Sequence, residues 1–260
     1  VKPYYEHAGI TIYHGDAREI LPGLQVESVI TDPVWPNSSP HLVGADRPAE
    51  LLTETLSRCE AERLVIHLGC SSDPRFLLAV PGRWPFIRVC WLELACPSYR
   101  GRVLNGSDVA YVFGVPPAPK PGAMVLPGRV VATSTDAGMA RGVGRNKDKR
   151  HDSEGHQVRG GAALLIDHPA PRKLQHVRWL LKWFAGQSCC DPFMGSGTTV
   201  VAAKALGVPA IGIEIEERYC EIAAKRLQQE VMDFGTLLSN APMVSSSPQT
   251  ALPSPLPSKA

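Results

Sequence analysis

The sequence predicts an α/β protein built on a doubly wound, mostly parallel sheet. Three observations carry that expectation. Short runs rich in β-branched residues alternate with stretches of helical spacing along most of the chain. One run, "RLVIHLG" at 63–69, is apolar almost throughout, as suits a strand buried on both faces of a parallel sheet. Near the C-terminal end, "QSCC", "DPFMGSG", "TTVVAAKALG" and "AIGIEI" read in succession as strand, glycine-rich turn, helix and strand.

The elements follow in order. The first 35 residues read as two strands around a turn and a short helix. The alternation of "GITIYHGD" breaks at Gly15-Asp16, "AREILPGL" has helical spacing, and "SVIT" is a strand. "PAELLTETLSRCEAE" sets Leu51, Leu52 and Leu56 on one side of a helix, "RLVIHLG" follows, and "FIRVCWLEL" and "SDVAYVFGV" are further strands. From Pro116 the composition changes. "PPAPKPGAMVLPG" suits neither a long helix nor a central strand, and the residues after it are rich in Gly, Arg, Lys and Asp. A long loop or small inserted lobe is expected at about 120–162. Order resumes at "HPAPRKLQHVRWLLKWFA", where Pro171 precedes a helix with an apolar stripe of Leu174, Val177, Leu180, Leu181 and Phe184. Gly207 closes the helix that follows the glycine-rich turn, and "EERYCEIAAKRLQQEVMDF" is a further helix. Residues 240–260 are rich in Pro and Ser and are expected to be disordered.

The 260 residues suffice for one large domain or two small ones. Hydrophobic residues make up 44% and charged residues 20%, as in ordinary globular proteins. No apolar run approaches the ~18 residues that span a bilayer, and the N-terminus lacks the pattern of a secretion signal, so a cytoplasmic protein is expected. Seven cysteines form no Cys-x-x-Cys pair and lie mostly in apolar runs. They read as reduced core residues, with no metal site expected. The net charge is only +2, but Arg141, Arg145, Lys147, Lys149, Arg150 and Arg159 cluster in the inserted region. Such a cluster points to an anionic partner.

The chemistry concentrates in two stretches. In the first, Gly195 and Gly197 stand between a strand and a helix, where glycine lets the backbone turn sharply and approach a ligand. Glu214 ends the next strand, where carboxylates of nucleotide-binding α/β proteins accept hydrogen bonds from ribose hydroxyls. Val200 stands where a dinucleotide fingerprint wants a third small residue, and no Gly-Lys-Ser/Thr is present. In the second stretch, "SVITDPVWPN", a strand ends in a carboxylate, a stiff corner and an indole: Asp32-Pro33-Val34-Trp35.

Asp191-Pro192-Phe193-Met194-Gly195-Ser196-Gly197-Thr198 resembles the S-adenosylmethionine loop of the DNA amino-methyltransferases, which also carry an Asp-Pro-Pro-aromatic catalytic motif. Here the catalytic-type motif precedes the cofactor loop, the order of their permuted β group. The resemblance covers roughly residues 9–35 and 165–230. It implies a Rossmann-like, seven-stranded sheet of the S-adenosylmethionine-dependent methyltransferase type, with a domain over residues 1–235. It further implies S-adenosyl-L-methionine as cofactor and double-stranded DNA as partner, with no metal. By the same resemblance, Asp16 contacts the adenine of the cofactor and Glu214 its ribose. His168-Pro169 with Arg172-Lys173 resembles the His-Pro-x-x-Lys-Pro element beside the methionine end, although the family's proline after the basic residue is missing. Thr198 stands at a helix N-terminus, where free N–H groups favour a carboxylate. Taken singly, Asp16 also suits a cap for the helix beginning at Ala17. Glu214 also suits a solvated strand end, and His168 an ordinary loop.

An exocyclic amino group on adenine or cytosine is a poor nucleophile because its lone pair is delocalised into the ring. Acceptors aimed at its two N–H hydrogens draw the nitrogen toward tetrahedral geometry, and they act best when preorganised in a water-poor pocket. Asp32 supplies a carboxylate, the Pro33 carbonyl a rigid acceptor, and Trp35 a stacking platform. The base must be flipped out of the duplex to reach them. The family has a second proline where Val34 stands, so this corner is less stiff, with Pro36 one residue beyond Trp35. Asp at the head of the motif is commoner among adenine N6 enzymes of the resembled family, and Ser among cytosine N4 enzymes. Adenine N6 is therefore the expected target. The alternatives are cytosine N4 methylation, a catalytically impaired cofactor- or DNA-binding relative, and an RNA or protein methyltransferase. The basic insert is the expected DNA-recognition region, against a solvated loop. The sequence does not choose between monomer and homodimer.

Overall fold

A computed structural model describes residues 1–36, 38, 40–100, 102–122, 125–132, 150–151, 157–158 and 172–228. Residues Val1–Gln228 cluster as one compact unit. The expected tail and most of the expected insert lie outside the described residues.

The strands are β1 (Tyr5–His7), β2 (Ile10–His14), β3 (Ser28–Thr31), β4 (Arg63–Gly69), β5 (Phe86–Arg100), β6 (Val103–Gly114), β7 (Arg129–Ala132), β8 (Arg150–His151), β9 (Gln157–Val158), β10 (Cys189–Asp191) and β11 (Ala210–Glu214). The helices are α1 (Ala17–Ile20), α2 (Pro48–Ser57), α3 (Leu174–Phe184), α4 (Thr198–Leu206) and α5 (Glu217–Gln228), with a 3-10 helix at Pro74–Ala79. Nine strands form one sheet in the order β1-β2-β11-β10-β3-β4-β6-β5-β7. The run from β2 to β4 is parallel throughout, and β6 and β5 extend it as a long antiparallel hairpin. These are the expected seven. Two short edge strands add to them: β1, antiparallel to β2, and β7, parallel to β5. β1, Tyr-Glu-His, has no apolar run to announce it, whereas β7 carries Val130-Val131-Ala132 within the stretch expected as an insert. β8 and β9, inside the expected insert, pair with each other.

Successive residues of the central strands feed two separate cores. Ile30, Val65 and Cys189 join α3, α4 and α5 on one face, whereas Val29, Leu64, Ile66 and Cys190 join α1 and α2 on the other. That two-sided burial explains why "RLVIHLG" is a continuous apolar run. The stripe of α3 is confirmed, with Val177, Leu180, Leu181 and Phe184 buried. Two extents differ from expectation. α2 stops at Ser57, because Cys59 turns into the core and Glu60 bridges to Gln25. The β5–β6 hairpin runs well beyond "FIRVCWLEL", past an irregularity between Glu93 and Ser98. Cys59, Cys90, Cys189, Cys190 and Cys220 are free and buried, whereas Cys70 is exposed. Among the described residues, no helix is long and apolar enough to cross a membrane.

Candidate active site

The site sits where the chain changes direction across the sheet. β10 continues through α4 to β11 on one side, and the neighbouring β3 continues through α2 to β4 on the other. Crossovers that diverge in this way open a crevice at the carboxyl ends of the two strands, a topological switch point. A cavity of about 570 Å³ lies there, within the usual range for small-molecule sites.

One wall is largely backbone. Gly195 and Gly197 have φ of 53° and 83°, a left-handed conformation that favours glycine. A Cβ on Gly197 would also lie 2.6 Å from the Ala223 Cβ, so the turn and the packing of α5 require the same residue. Gly197 caps α4 from behind the cavity, which Gly195, Ser196 and Thr198 line. Arg226 of α5 braces this end, donating to the Ser196 carbonyl. The Glu214 carboxylate accepts from the Gly195 N–H at 2.8 Å and the Glu216 N–H at 2.9 Å. Burial pushes its pKa up while those two bonds pull it down. Each oxygen keeps a lone pair for a further donor. Asp16 accepts from the Arg18 N–H at 2.8 Å and caps α1, and it also lines the cavity. The capping role is thus present, and Asp16 also stands in the cavity wall. The side-chain hydrogen bonds of Arg18 hold its pKa down.

Asp191 joins the two walls. It is buried at the end of β10 and accepts from Thr31 Oγ1 at 2.7 Å, Thr199 Oγ1 at 2.6 Å and the Phe193 N–H at 3.2 Å. Burial pushes its carboxyl up to about 6 against the pull of these bonds. Thr31 immediately precedes Asp32, so one hydrogen bond ties the glycine-rich loop to the second motif. Pro192 and Phe193 line the cavity beside it.

The other wall is built from side chains. Asp32, Pro33, Val34 and Trp35 line the same cavity. The Trp35 carbonyl accepts both the Ser38 N–H at 2.9 Å and the Ser38 hydroxyl at 2.7 Å. This closed turn stiffens the corner downstream of Val34. A residue of unforeseen placement completes the wall. Arg172 Nε donates to Asp32 Oδ2 at 2.6 Å, its Nη2 donates to Asp32 Oδ1 at 2.7 Å, and its Nη1 donates to Asp108 Oδ2 at 3.2 Å. The guanidinium carbon also lies 4.8 Å from the centre of the Trp35 ring. The resemblance implied a position for Arg172 beside the methionine end; here it spans two carboxylates. The sequence carried no sign of that pairing, since Arg172 and Asp32 are 140 positions apart.

Behind Arg172, His67 Nε2 lies 3.2 Å from Asp108 Oδ2. Burial pushes Asp108 up, but the hydrogen bond with His67 and the charge of Arg172 outweigh it and hold the carboxyl at about 2. Burial works against the charge of Arg172, and Asp32 and Asp108 more than offset it, leaving its pKa above the ordinary value. His176 donates from Nε2 to the Glu93 carbonyl at 2.9 Å, and its buried Nδ1 has no partner among the described residues. Burial lowers its pKa to about 4. His67, Asp108 and His176 place ligand-type atoms within 4.8 Å of one another. The guanidinium on Asp108 already supplies positive charge there, so a divalent ion would have to displace or repel it.

Of the remaining sequence-derived candidates, His168, Arg141, Arg145, Lys147, Lys149 and Arg159 lie outside the described residues, and the side chain of Arg150 is not described.

The architecture defines a class first: an α/β fold shared with S-adenosylmethionine-dependent DNA methyltransferases. The structure of the cytosine-N4-specific PvuII DNA methyltransferase superposes with a TM-score of 0.58 at 14% identity, covering 92% of this chain and 93% of that one. The M1.HpyAVI–SAM complex superposes with a TM-score of 0.56 at 23% identity, covering 84% of this chain and 100% of that one. Sequence similarity points the same way. A family model described as DNA methylase matches residues 146–225. The orphan methyltransferase M.BamHII of Bacillus amyloliquefaciens is 40% identical over 81 residues, 30% of each chain. The type II methyltransferase M.ScaI of Streptomyces caespitosus is 25% identical over 270 residues, covering 90% of this chain and 86% of that one. Over residues 146–225 the chain is similar to the DNA amino-methyltransferases, and M.ScaI extends a weaker similarity over most of its length. The matches span between 11 and 30% of the length of the first three curated relatives.

Proposed function

We propose that the protein is an S-adenosylmethionine-dependent DNA methyltransferase that modifies the exocyclic amino group of a flipped base, with adenine N6 as the target. One observation carries this reading. The glycine-rich loop and the Asp32–Trp35 corner open on a single cavity and are tied together by the Thr31–Asp191 hydrogen bond.

The residues of the backbone wall fit the cofactor. Glu214 keeps lone pairs for ribose hydroxyls, Asp16 faces the adenine end, and the N-terminus of α4 at Thr198 offers N–H groups to a carboxylate. Bound there, S-adenosylmethionine supplies an electrophilic methyl group on a sulfonium. The protein supplies the rest. Trp35 takes the face of the extruded base, and Asp32 and the Pro33 carbonyl accept the two amino hydrogens, drawing the lone pair out of the ring. Alignment of nitrogen, methyl carbon and sulfur provides much of the acceleration. The nitrogen's surplus proton passes to Asp32 after attack. His168 completes the cofactor site in this reading. The region 120–162, with Arg141, Arg145, Lys147, Lys149 and Arg150, contacts the DNA, within a methyltransferase domain over residues 1–235 and a cytoplasmic setting.

The test is to incubate the protein with methyl-labelled S-adenosylmethionine and mixed-sequence duplex DNA, digest, and separate the nucleosides. Label is expected in N6-methyladenine. Label in N4-methylcytosine would transfer the mechanism to the other base. Cofactor binding with no transfer to DNA would overturn the reading.

A further inference from the structure

Arg172 does more than neutralise a carboxylate. Its fork engages both Asp32 oxygens, at 2.6 and 2.7 Å, and its third contact reaches Asp108 at 3.2 Å. The same guanidinium lies over Trp35. It is nearly buried, with 12% side-chain exposure, between carboxylates exposed by 23% and 21%. A carboxylate held by a single donor turns freely about its terminal torsion, which is broad. A two-point fork fixes its plane.

We propose that Arg172 is a positioning residue that sets the plane of the Asp32 carboxylate and the tilt of the Trp35 ring for an incoming base, and that Asp108, held in turn by His67, sets Arg172. The inference rests on the reading of Asp32 as the amino-group acceptor and deepens it. Geometry supports the division of labour. A side-on fork uses one lone pair on each Asp32 oxygen and leaves the others free for an amino hydrogen. The cation covers one face of Trp35, so a base stacks on the opposite face. Charge accounting supports it too. Arg172 stands between two carboxylates, one more than it needs. When Asp32 takes the proton released by the methylated nitrogen, that carboxylate becomes neutral and Arg172 retains Asp108 as counter-ion. The guanidinium is never left buried and unpaired, which would be strongly unfavourable.

Two measurements test this. The first compares methyl transfer by wild type, Arg172→Ala and Arg172→Lys, with S-adenosylmethionine binding followed by calorimetry. Arg172→Ala is expected to lose about 100-fold in kcat, with a much smaller change in KM for DNA and nearly unchanged cofactor affinity. Arg172→Lys, which keeps the charge but not the fork, recovers only a small part. Added guanidinium ion at low millimolar concentration restores part of the rate to Arg172→Ala and none to Asp32→Ala. Wild-type kcat in either Arg172 variant would overturn the inference. The second is independent of turnover. The Arg172 Nε–H resonance, assigned by its loss in Arg172→Lys, is expected to exchange slowly with solvent in wild type and rapidly in Asp32→Asn. Rapid exchange in wild type means that the clamp is absent and the inference fails, whatever the activity. A protected resonance in a wild-type protein that transfers nothing to DNA overturns the functional reading and the base-positioning role with it.

Discussion

The two walls of the cavity are made of different materials. The wall proposed for the cofactor is assembled, Asp16 apart, from residues 189–216, adjacent in sequence, and its key features are backbone: two left-handed glycines, a helix N-terminus, and N–H groups that hold Glu214. The wall proposed for catalysis is assembled from side chains of distant segments: Asp32 after β3, His67 on β4, Asp108 on β6 and Arg172 before α3. A backbone site is rigid once its turn is formed. A side-chain site needs a supporting shell, and here the shell is a chain of polar contacts from His67 to Asp32. Substitutions on the two walls should therefore fail in different ways.

The largest separation is expected from Asp32→Ala. Transfer should fall by about 10²–10⁴-fold, the range for losing a proton-accepting group, with cofactor affinity nearly unchanged in calorimetry. A comparable loss of cofactor affinity would erase the distinction between the walls. Gly197→Ala probes the other side. A side chain at φ 83° costs about 1–2 kcal/mol, and the 2.6 Å approach to Ala223 adds to it. Denaturant midpoint and cofactor affinity should fall together, measured by urea unfolding and calorimetry.

A third prediction concerns the floor of the catalytic wall. His176 is fully buried and its pKa is lowered to about 4, against 6.5 for the unfolded chain. The folded state therefore resists protonation. This contribution to stability is fully present above pH 6.5 and is lost as pH falls toward 4. On this ground, stability at pH 5 should be lower than at pH 7.5 by about 2 kcal/mol. Urea unfolding at the two pH values measures the difference, and His176→Gln should shrink it. An unchanged difference in that variant would assign the effect to another group. The smallest effect is expected from Val34→Pro. The Ser38 bonds to the Trp35 carbonyl already close the turn, so restoring the usual proline should change kcat by less than about threefold, since rigidity already present adds little preorganisation. A large gain would show that the corner is loose.

The same contrast explains what the sequence made legible. Loop, helix and strand of the cofactor wall follow one another in "CCDPFMGSGTTVVAAKALGVPAIGIEI", so their spacing identifies them and even the closing Gly207 is readable. The corner at Asp32-Pro33-Val34-Trp35 was legible for the same local reason. The partners of Asp32 were not. Nothing in "RLVIHLG" separates His67 from a core histidine, and Asp108 in "SDVAYVFGV" looks like the polar start of a strand. The sheet register brings them together by setting β6 against β4, with His67 opposite Ala110 and Gly69 opposite Asp108. Pairing of that kind has no local signature. The central strands of the sheet were readable because burial on both faces leaves a continuous apolar run, whereas β1, only Tyr-Glu-His, has no such pattern.

The central claim is that the two walls serve one reaction on one base. Its most direct test is a structure of the protein with S-adenosylmethionine and duplex DNA containing the target site. The expected complex has an extrahelical base stacked on Trp35, its amino hydrogens directed at Asp32 and the Pro33 carbonyl, and its nitrogen about 3–3.5 Å from the methyl carbon. A cofactor seated on the Gly195–Thr198 loop with its methyl group turned away from Asp32, or a target base still stacked in the duplex, would contradict it.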